Sequence, residues 1–128
     1  MLHLRILPGS FAVAKLKSGV DFAAWAHGGE LVQIVRTPQE LSIVCSDEAV
    51  PPGVTVERGW RCFASAGPLD INQAGVLASL SAPLAEARIS IFVISSFDND
   101  YVLVHGQELE HAIEVLESAG FTFEPRPH

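Results

Sequence analysis

The stretch GPLDINQAGVLASLSAPLAEARISIFVISSFDNDYVLV, residues 67–104, decides which fold this chain adopts. A polar, glycine-bearing segment leads into apolar residues at helical spacing, namely Ala74, Leu77, Leu80, Leu84 and Ala87. Asp70 is placed to accept hydrogen bonds from the free N–H groups of this helix, with Gln73 at the capping-box position. The pattern therefore predicts a helix that begins near Ile71 and buries one apolar stripe.

The second part of this stretch predicts two strands joined by a short turn. Residues 89–94 are apolar on both faces, which favours a central strand in a covered sheet. Residues 95–99 predict the turn, and residues 101–104 predict the returning strand. Pro83 lies inside the helical pattern, and its missing N–H predicts a kink or a split of the helix.

The flanking segments complete a β-α-β-β-α-β order. Residues 60–66 and 121–123 predict the first and the last strand of this order. A second helix is predicted from four apolar residues, Leu109, Ala112, Ile113 and Leu116. Gly120 stands where a helix ends with a positive φ. This order predicts a ferredoxin-like α+β fold, with helices on one face of an antiparallel sheet.

The first half of the chain is strand-rich. Strands are predicted at residues 2–7, 11–16, 31–35, 41–45 and 54–56. At most one helical turn, over residues 21–25, fits between them. The predicted domains are therefore residues 1–58 and residues 59–128.

Composition excludes several classes of function. The 128 residues are 48% hydrophobic and carry a formal net charge of -7, and their 8 Lys and Arg residues do not cluster. A partner with many phosphates, such as nucleic acid or an anionic membrane surface, needs a basic patch. No apolar run reaches the length of a membrane span, and the first residues lack the features of a signal peptide, so we expect a cytoplasmic protein.

Motifs for catalysis or for metal binding are weak. The histidines lack zinc-ligand spacing, and Ser95-Ser96 lacks the glycines of a nucleophile elbow. Cys45 and Cys62 lie in apolar runs typical of reduced core residues. We therefore expect no catalysis, no metal and no cofactor.

Residues 60–123 resemble an ACT domain, the small-molecule regulatory module of amino-acid metabolism, and are closest to those of aspartate kinases and animal cytosolic arginine sensors. The resemblance rests on GVLA (75–78), PLAEA (83–87) and ISI (89–91), and upstream on TPQELSIVCSDEAVP (37–51). Residues 1–58 resemble the diverged ACT-like half that precedes this domain in the sensors. Arg88 departs from the glycine that the family often has there, which implies a different end to the helix.

The resemblance implies a non-catalytic regulatory protein, a homodimer, that binds an amino acid at an interface between two ACT units. The implied ligand contacts lie in the loop before the first helix and in the turn after the second strand. They are Gly67, Pro68, Leu69, Asp70, Ile71, Asn72, Ser95, Ser96, Phe97, Asp98, Asn99 and Asp100.

The chemistry of these two corners suits an amino acid independently of the resemblance. A helix that begins near Ile71 offers N–H groups to a carboxylate, and the acidic turn offers Asp98 and Asp100 to an ammonium group. Purely structural roles stay open, because Asp70 suits a helix cap and the two acidic residues suit a tight turn. Phe97 is either a cover over a ligand or a core residue, and the core role is favoured.

Two other classes of function remain. A protein–protein association module without a ligand would use Trp25 or Trp60 as interface anchors, since aromatic residues concentrate in interfaces. A small enzyme with an acidic site is the third.

Overall fold

The computed structural model describes residues 3–20, 25–26, 28–65 and 75–124. The strands are β1 (His3–Ile6), β2 (Phe11–Lys17), β3 (Gln33–Arg36), β4 (Glu40–Ser46), β5 (Thr55–Ser65), β6 (Ile91–Ser95), β7 (Asp100–His105) and β8 (Thr122–Glu124). The helices are α1 (Val76–Glu86) and α2 (Leu109–Ser118). Contacts group these elements into two compact units, which we call the N-terminal unit (Pro8–Trp60) and the C-terminal unit (Met1–Leu7 with Arg61–His128).

The N-terminal unit is an antiparallel sheet with the order β3-β4-β2-β5. A tight turn joins β3 and β4: the N–H and the hydroxyl of Thr37 both donate to the carbonyl oxygen of Glu40, at 2.9 and 3.3 Å. The buried cluster of this unit includes Leu41, Ile43 and Cys45 on β4. Alternate residues of β4 therefore supply the core, as the period of a strand requires.

One long strand replaces the two strands predicted at residues 54–56 and 60–66. β5 runs through Gly59, which has a φ of 80°. On β2, Phe11 pairs with Trp60 of β5, and Val13 pairs with Glu57 of β5. β5 therefore has one more residue than β2 between these two pairs, which forms a bulge. Gly59 supplies the left-handed backbone of the bulge.

The bulge is fixed by a carboxylate from the neighbouring 3-10 turn, Asp47–Ala49. Asp47 Oδ2 accepts the N–H of Gly59 at 2.9 Å, and Asp47 Oδ1 accepts the Arg58 guanidinium at 2.8 Å. Arg58 also donates to the carbonyl oxygen of Val50 at 2.9 Å. The bond from Gly59 satisfies a backbone N–H of the bulge, and the bonds from Arg58 hold the 3-10 turn beside it.

The C-terminal unit has the predicted β-α-β-β-α-β order, which confirms the ferredoxin-like α+β fold, and it contains one additional strand. Its sheet order is β8-β1-β5-β7-β6. β1 is antiparallel to β5, with Leu4 opposite Ser65, and parallel to β8, with Leu4 opposite Phe123. The sheet is therefore mixed rather than wholly antiparallel, because a strand from the start of the chain separates β5 from β8.

One core joins the two helices to the sheet. Its fully buried side chains include Leu4, Phe63, Leu80, Leu84 and Leu116. The rings of Phe63 and Phe123 meet edge to face, with centroids 5.6 Å apart.

The predicted helical stripes are largely confirmed. In α2, Ala112, Ile113 and Leu116 are buried as predicted. In α1, Leu80 and Leu84 are buried, but Leu77 is 39% exposed, so its predicted place in the stripe is wrong.

One further local prediction is corrected and one is confirmed. α1 continues through Pro83, so the predicted split is wrong; only one helical N–H is lost there. Arg88 adopts a φ of 60°, in the left-handed region that favours glycine. Gly120 does have the predicted positive φ, 103°.

The position of β6 in the sheet is also corrected. β6 pairs with β7 alone among the described strands, so it is an edge strand and not a central one. β7 is the inner strand, and Val102, Leu103 and Val104 are buried there. The apolar run of β6 is half-buried, which shows that apolar side chains on both faces do not by themselves place a strand inside a sheet.

Candidate functional site

The predicted turn between β6 and β7 is held by hydrogen bonds between Ser96 and Asn99. The N–H of Ser96 donates to the carbonyl oxygen of Asn99 at 2.8 Å, and the N–H of Asn99 donates to Ser96 Oγ at 3.2 Å. Ser95 and Asp100 are paired at the ends of the two strands. Residues 95–100 therefore form a tight, internally bonded corner, which we call the acidic turn.

Ser65 anchors the acidic turn and was not predicted from the sequence. The backbone N–H of Asp100 donates to Ser65 Oγ at 3.0 Å, and the Ser65 hydroxyl lies 3.4 Å from Asn99 Oδ1. Ser65 is 4% exposed and ends β5. A serine that closes an apolar strand just before Gly67 is a signal that sequence reading could have used. The acidic turn thus lies at the end of β5 from which the loop to α1 departs.

The first group of predicted contacts lies outside the described residues. This group is Gly67, Pro68, Leu69, Asp70, Ile71 and Asn72. The predicted start of the helix near Ile71 also lies outside the described residues; α1 as described begins at Val76 after Gly75, whose φ of 86° interrupts a right-handed helix. The N–H groups of Val76, Leu77 and Ala78 are therefore the ones that have no partner within the helix.

The two aspartates of the acidic turn have different surroundings. Asp100 Oδ1 accepts the hydroxyl of Ser95 at 2.6 Å, so this carboxylate is already used in the turn. Asp98 is exposed and makes no hydrogen bond or ion pair with any residue that the structure describes. Of the two carboxylates, Asp98 is the one available to a cation.

The aromatic residues singled out from the sequence differ in exposure. Phe97 is 78% exposed, so the favoured core role is wrong; the residue stands at the tip of a tight turn, where no core reaches it. Trp60 is 6% exposed, which rules it out as an exposed interface anchor. Trp25 packs partly against the core of the N-terminal unit.

Both cysteines are buried free thiols, as predicted. Burial raises the pKa of Cys62 to about 12, against the opposing effect of Arg5. Burial, and then the carboxylate of Asp47, raise the pKa of Cys45. A thiol with a raised pKa is a poor nucleophile and a poor metal ligand at neutral pH.

Other candidate sites in the described residues are sparse. No group of three or more His, Cys, Asp or Glu side chains within residues 3–20, 25–26, 28–65 and 75–124 is arranged to hold a metal ion. None of the helices described is long and apolar enough to cross a membrane. A cleft of about 460 Å³ lies beside Gly29 and Ser46, and one of about 590 Å³ lies between α1 and α2; neither is lined by the acidic turn.

Comparison with known families and proteins agrees with this architecture. A family model described as an ACT domain matches residues 55–118, and a second model, described as an N-terminal domain, matches residues 9–53. The crystal structure of protein Atu0741 from Agobacterium tumefaciens is similar over 99% of this chain and 95% of that one, with 40% identity and a TM-score of 0.92.

Two more distantly similar proteins have names that state a function. The cytosolic arginine sensor for mTORC1 subunit 1 of Homo sapiens is 39% identical over 59 residues, which is 45% of this chain and 18% of the sensor. The ligand-free regulatory subunit of aspartate kinase from Thermus thermophilus is 12% identical, with a TM-score of 0.64 over 89% of this chain and 94% of that one, a likeness of fold alone. This chain thus spans less than a fifth of the sensor's length.

Proposed function

The chain belongs to the ACT domain family, and from this premise we propose that it is a non-catalytic regulatory protein that binds a free amino acid. The ligand would lie at an interface between two ACT units. The division into a diverged ACT-like half, residues 1–58, and an ACT domain, residues 59–128, is part of this proposal.

The hydrogen bond between Ser65 and Asp100 is the observation that best supports a site here. It holds the acidic turn at the end of β5, from which residues 67–72 depart along the chain. We propose that the two corners chosen from the sequence lie close together, because the acidic turn is bonded to the last residue of β5 and residues 67–72 follow it directly in the sequence. If they lay at opposite edges, no single small ligand would reach both.

The exposed groups at this edge match the two ends of an amino acid. We assign the ammonium group, or a basic side chain, to the carboxylate of Asp98, and Phe97 covers the apolar part of the ligand. We assign the carboxylate to backbone N–H groups of residues 67–72 and of the first turn of α1. Charge-assisted hydrogen bonds contribute about 1.5–3 kcal/mol each, so two or three of them suffice for micromolar binding if burial offsets the entropy cost.

The proposal includes regulation without catalysis. The similar proteins with functional names are a sensor and a regulatory subunit, and both thiols of this chain have raised pKa values. No cofactor is required by this chemistry. A cytoplasmic location is also proposed, on the sequence features given above and on the similarity to a cytosolic sensor.

Homodimer formation is proposed on the basis of the β6 edge. Ile91 and Val93 are half-buried on a strand that pairs on one side only within the described residues. An exposed edge with apolar side chains favours pairing with another strand. The same edge supports the alternative function, an association module without a ligand.

A thermal-shift screen of the free amino acids separates the two functions. A ligand at a hundred times its dissociation constant stabilises the folded state by about 2.7 kcal/mol. A concentration-dependent rise in melting temperature with one or a few amino acids supports the sensor. No shift with any amino acid, together with a stable dimer by light scattering, would favour the association module.

A further inference from the structure

A groove of about 590 Å³ lies between the two helices of the C-terminal unit. Four residues form its apolar lining. Pro83 lies in α1 and Ala87 at the C-terminal end of that helix, and Val115 lies in α2 and Ala119 at its C-terminal end. Ala87 and Val115 also pack against the core, so this part of the lining is fixed by the interior of the unit. The groove is separate from the acidic turn, since the two share no residue.

The rim of this groove is acidic. Glu86 and Glu114 line it, are exposed, and make no hydrogen bond or ion pair with other described residues. The remaining polar side chains of the lining are His111, which lies 3.4 Å from Glu108, and Ser118. The lining contains no Lys or Arg, and its two rim carboxylates are free to bind a cation.

The helices themselves add to this negative potential. Neither α1 nor α2 contains a Lys or an Arg, and neither has a basic residue in its last turn. The carbonyl end of a helix carries a partial negative charge that a nearby cation stabilises. Both helices contribute residues at their carboxyl ends to the groove, through Ala87 and Ala119.

We propose that this groove docks a cationic amphipathic segment of a partner protein. Apolar side chains of the segment fill the space over Ala87 and Val115, and Lys or Arg side chains reach Glu86 and Glu114. Helix-in-groove recognition joins an apolar seam to charged flanks in this way. The inference does not depend on the amino-acid site.

A second copy of the chain does not fit this surface. A symmetric dimer through the groove sets two acidic patches against each other, and the lining has no Lys or Arg to offset them. Such like-charge contacts in an interface are strongly unfavourable. A heterologous contact would need a basic surface, and the chain has 8 Lys and Arg residues against 15 Asp and Glu residues. The charges therefore favour a different, basic partner.

The test uses the full chain and three synthetic peptides. The first is a short helical peptide with leucine and alanine on one face and lysine on the other. The second has the same composition in a scrambled order, and the third has glutamate in place of lysine. Backbone amide NMR signals of the labelled protein are followed during titration, at low salt and at about 0.3 M salt.

The proposal predicts that the amphipathic lysine peptide moves the signals of Ala87, Glu114 and Val115 and binds more weakly at high salt. The scrambled peptide should bind more weakly, and the glutamate peptide should not bind. Shifts centred elsewhere, equal binding of the first two peptides, or no binding of the first peptide would overturn it.

Charge-reversed variants test the role of the two glutamates, with a matched pair outside the groove as the control. E86K/E114K should weaken binding of the lysine peptide by at least about tenfold, since each attraction becomes a repulsion. E57K/E124K makes the same change in net charge at two exposed positions outside the groove and should change the affinity by less than about threefold. Equal weakening by both pairs would mean that only net charge matters. The milder E86Q/E114Q variant keeps the comparison valid if the reversed variant unfolds.

Discussion

The backbone N–H of Asp100 donates a hydrogen bond of 3.0 Å to the hydroxyl oxygen of Ser65, joining the first residue of β7 to the last residue of β5. The two residues are 35 positions apart in the sequence, and Ser65 is 4% exposed. This bond fixes the acidic turn to the end of β5.

Replacing Ser65 by alanine should loosen the acidic turn. The amide of Asp100 would lose its partner in a place that water reaches poorly, at a cost of about 1–3 kcal/mol in the free energy of unfolding. Urea unfolding measures this loss. Ser90→Ala, at an exposed serine between α1 and β6, should cost less than about 0.5 kcal/mol. Equal stability of the two variants would show that the bond does not hold the turn.

Asp98→Asn should weaken binding of whichever amino acid the screen identifies. Loss of one charge-assisted contact predicts a decrease in affinity of about 10- to 100-fold by calorimetric titration. The melting temperature of the free protein should stay nearly constant, because Asp98 makes no bond within the described chain. Glu57→Gln removes the same charge far along the sequence and should bind normally. Unchanged binding by Asp98→Asn would remove this carboxylate from the site.

Arg88→Gly should stabilise the C-terminal unit. Arg88 has a φ of 60°, and the left-handed conformation costs a residue with a Cβ about 1–2 kcal/mol. Glycine avoids that cost and loses about 0.5–1 kcal/mol through the flexibility of the unfolded chain, so a net gain of about 0.5–1 kcal/mol is expected. Arg88→Ala retains the Cβ and should give no gain. A gain of equal size in both variants would point to the loss of the charge instead.

Two leucines of α1 should respond very differently to truncation. Leu84 is fully buried, so Leu84→Ala should lower the free energy of unfolding by about 2–5 kcal/mol through lost burial and a cavity. Leu77 is 39% exposed, and Leu77→Ala should cost less than about 1 kcal/mol. Chemical denaturation of the two variants checks this. A larger loss at Leu77 would contradict the orientation of α1.

The buried thiol of Cys62 should make stability fall at alkaline pH. Its pKa is about 12 in the folded protein, against an ordinary value of 9.0, so the unfolded chain releases the proton first. The stabilisation is complete below about pH 9 and is lost as the pH rises toward 12, by up to about 1.4 kcal/mol per pH unit. The unfolding free energy of Cys62→Ala should lack this part of the decline between pH 8 and pH 10.5, so the two curves converge. Parallel curves would contradict a raised pKa.

The sequence by itself determined the elements whose signals are local. The apolar spacing of Leu109, Ala112, Ile113 and Leu116 predicted α2, because residues three and four apart share a helix face. Gly120 and the turn at residues 95–99 were found in the same way, from backbone preferences of one or a few residues. The β-α-β-β-α-β order follows from those elements.

Only the tertiary structure decided which strands are neighbours. His3 pairs with Thr122 across almost the whole chain, and no local pattern records that β1 lies between β5 and β8. The edge position of β6 and the bond from Asp100 to Ser65 likewise follow from a long-range pairing, that of β7 with β5. Hydrophobic periodicity predicts which side chains are buried. It does not predict which strand pairs with which, because that pairing depends on contacts between residues far apart in the sequence.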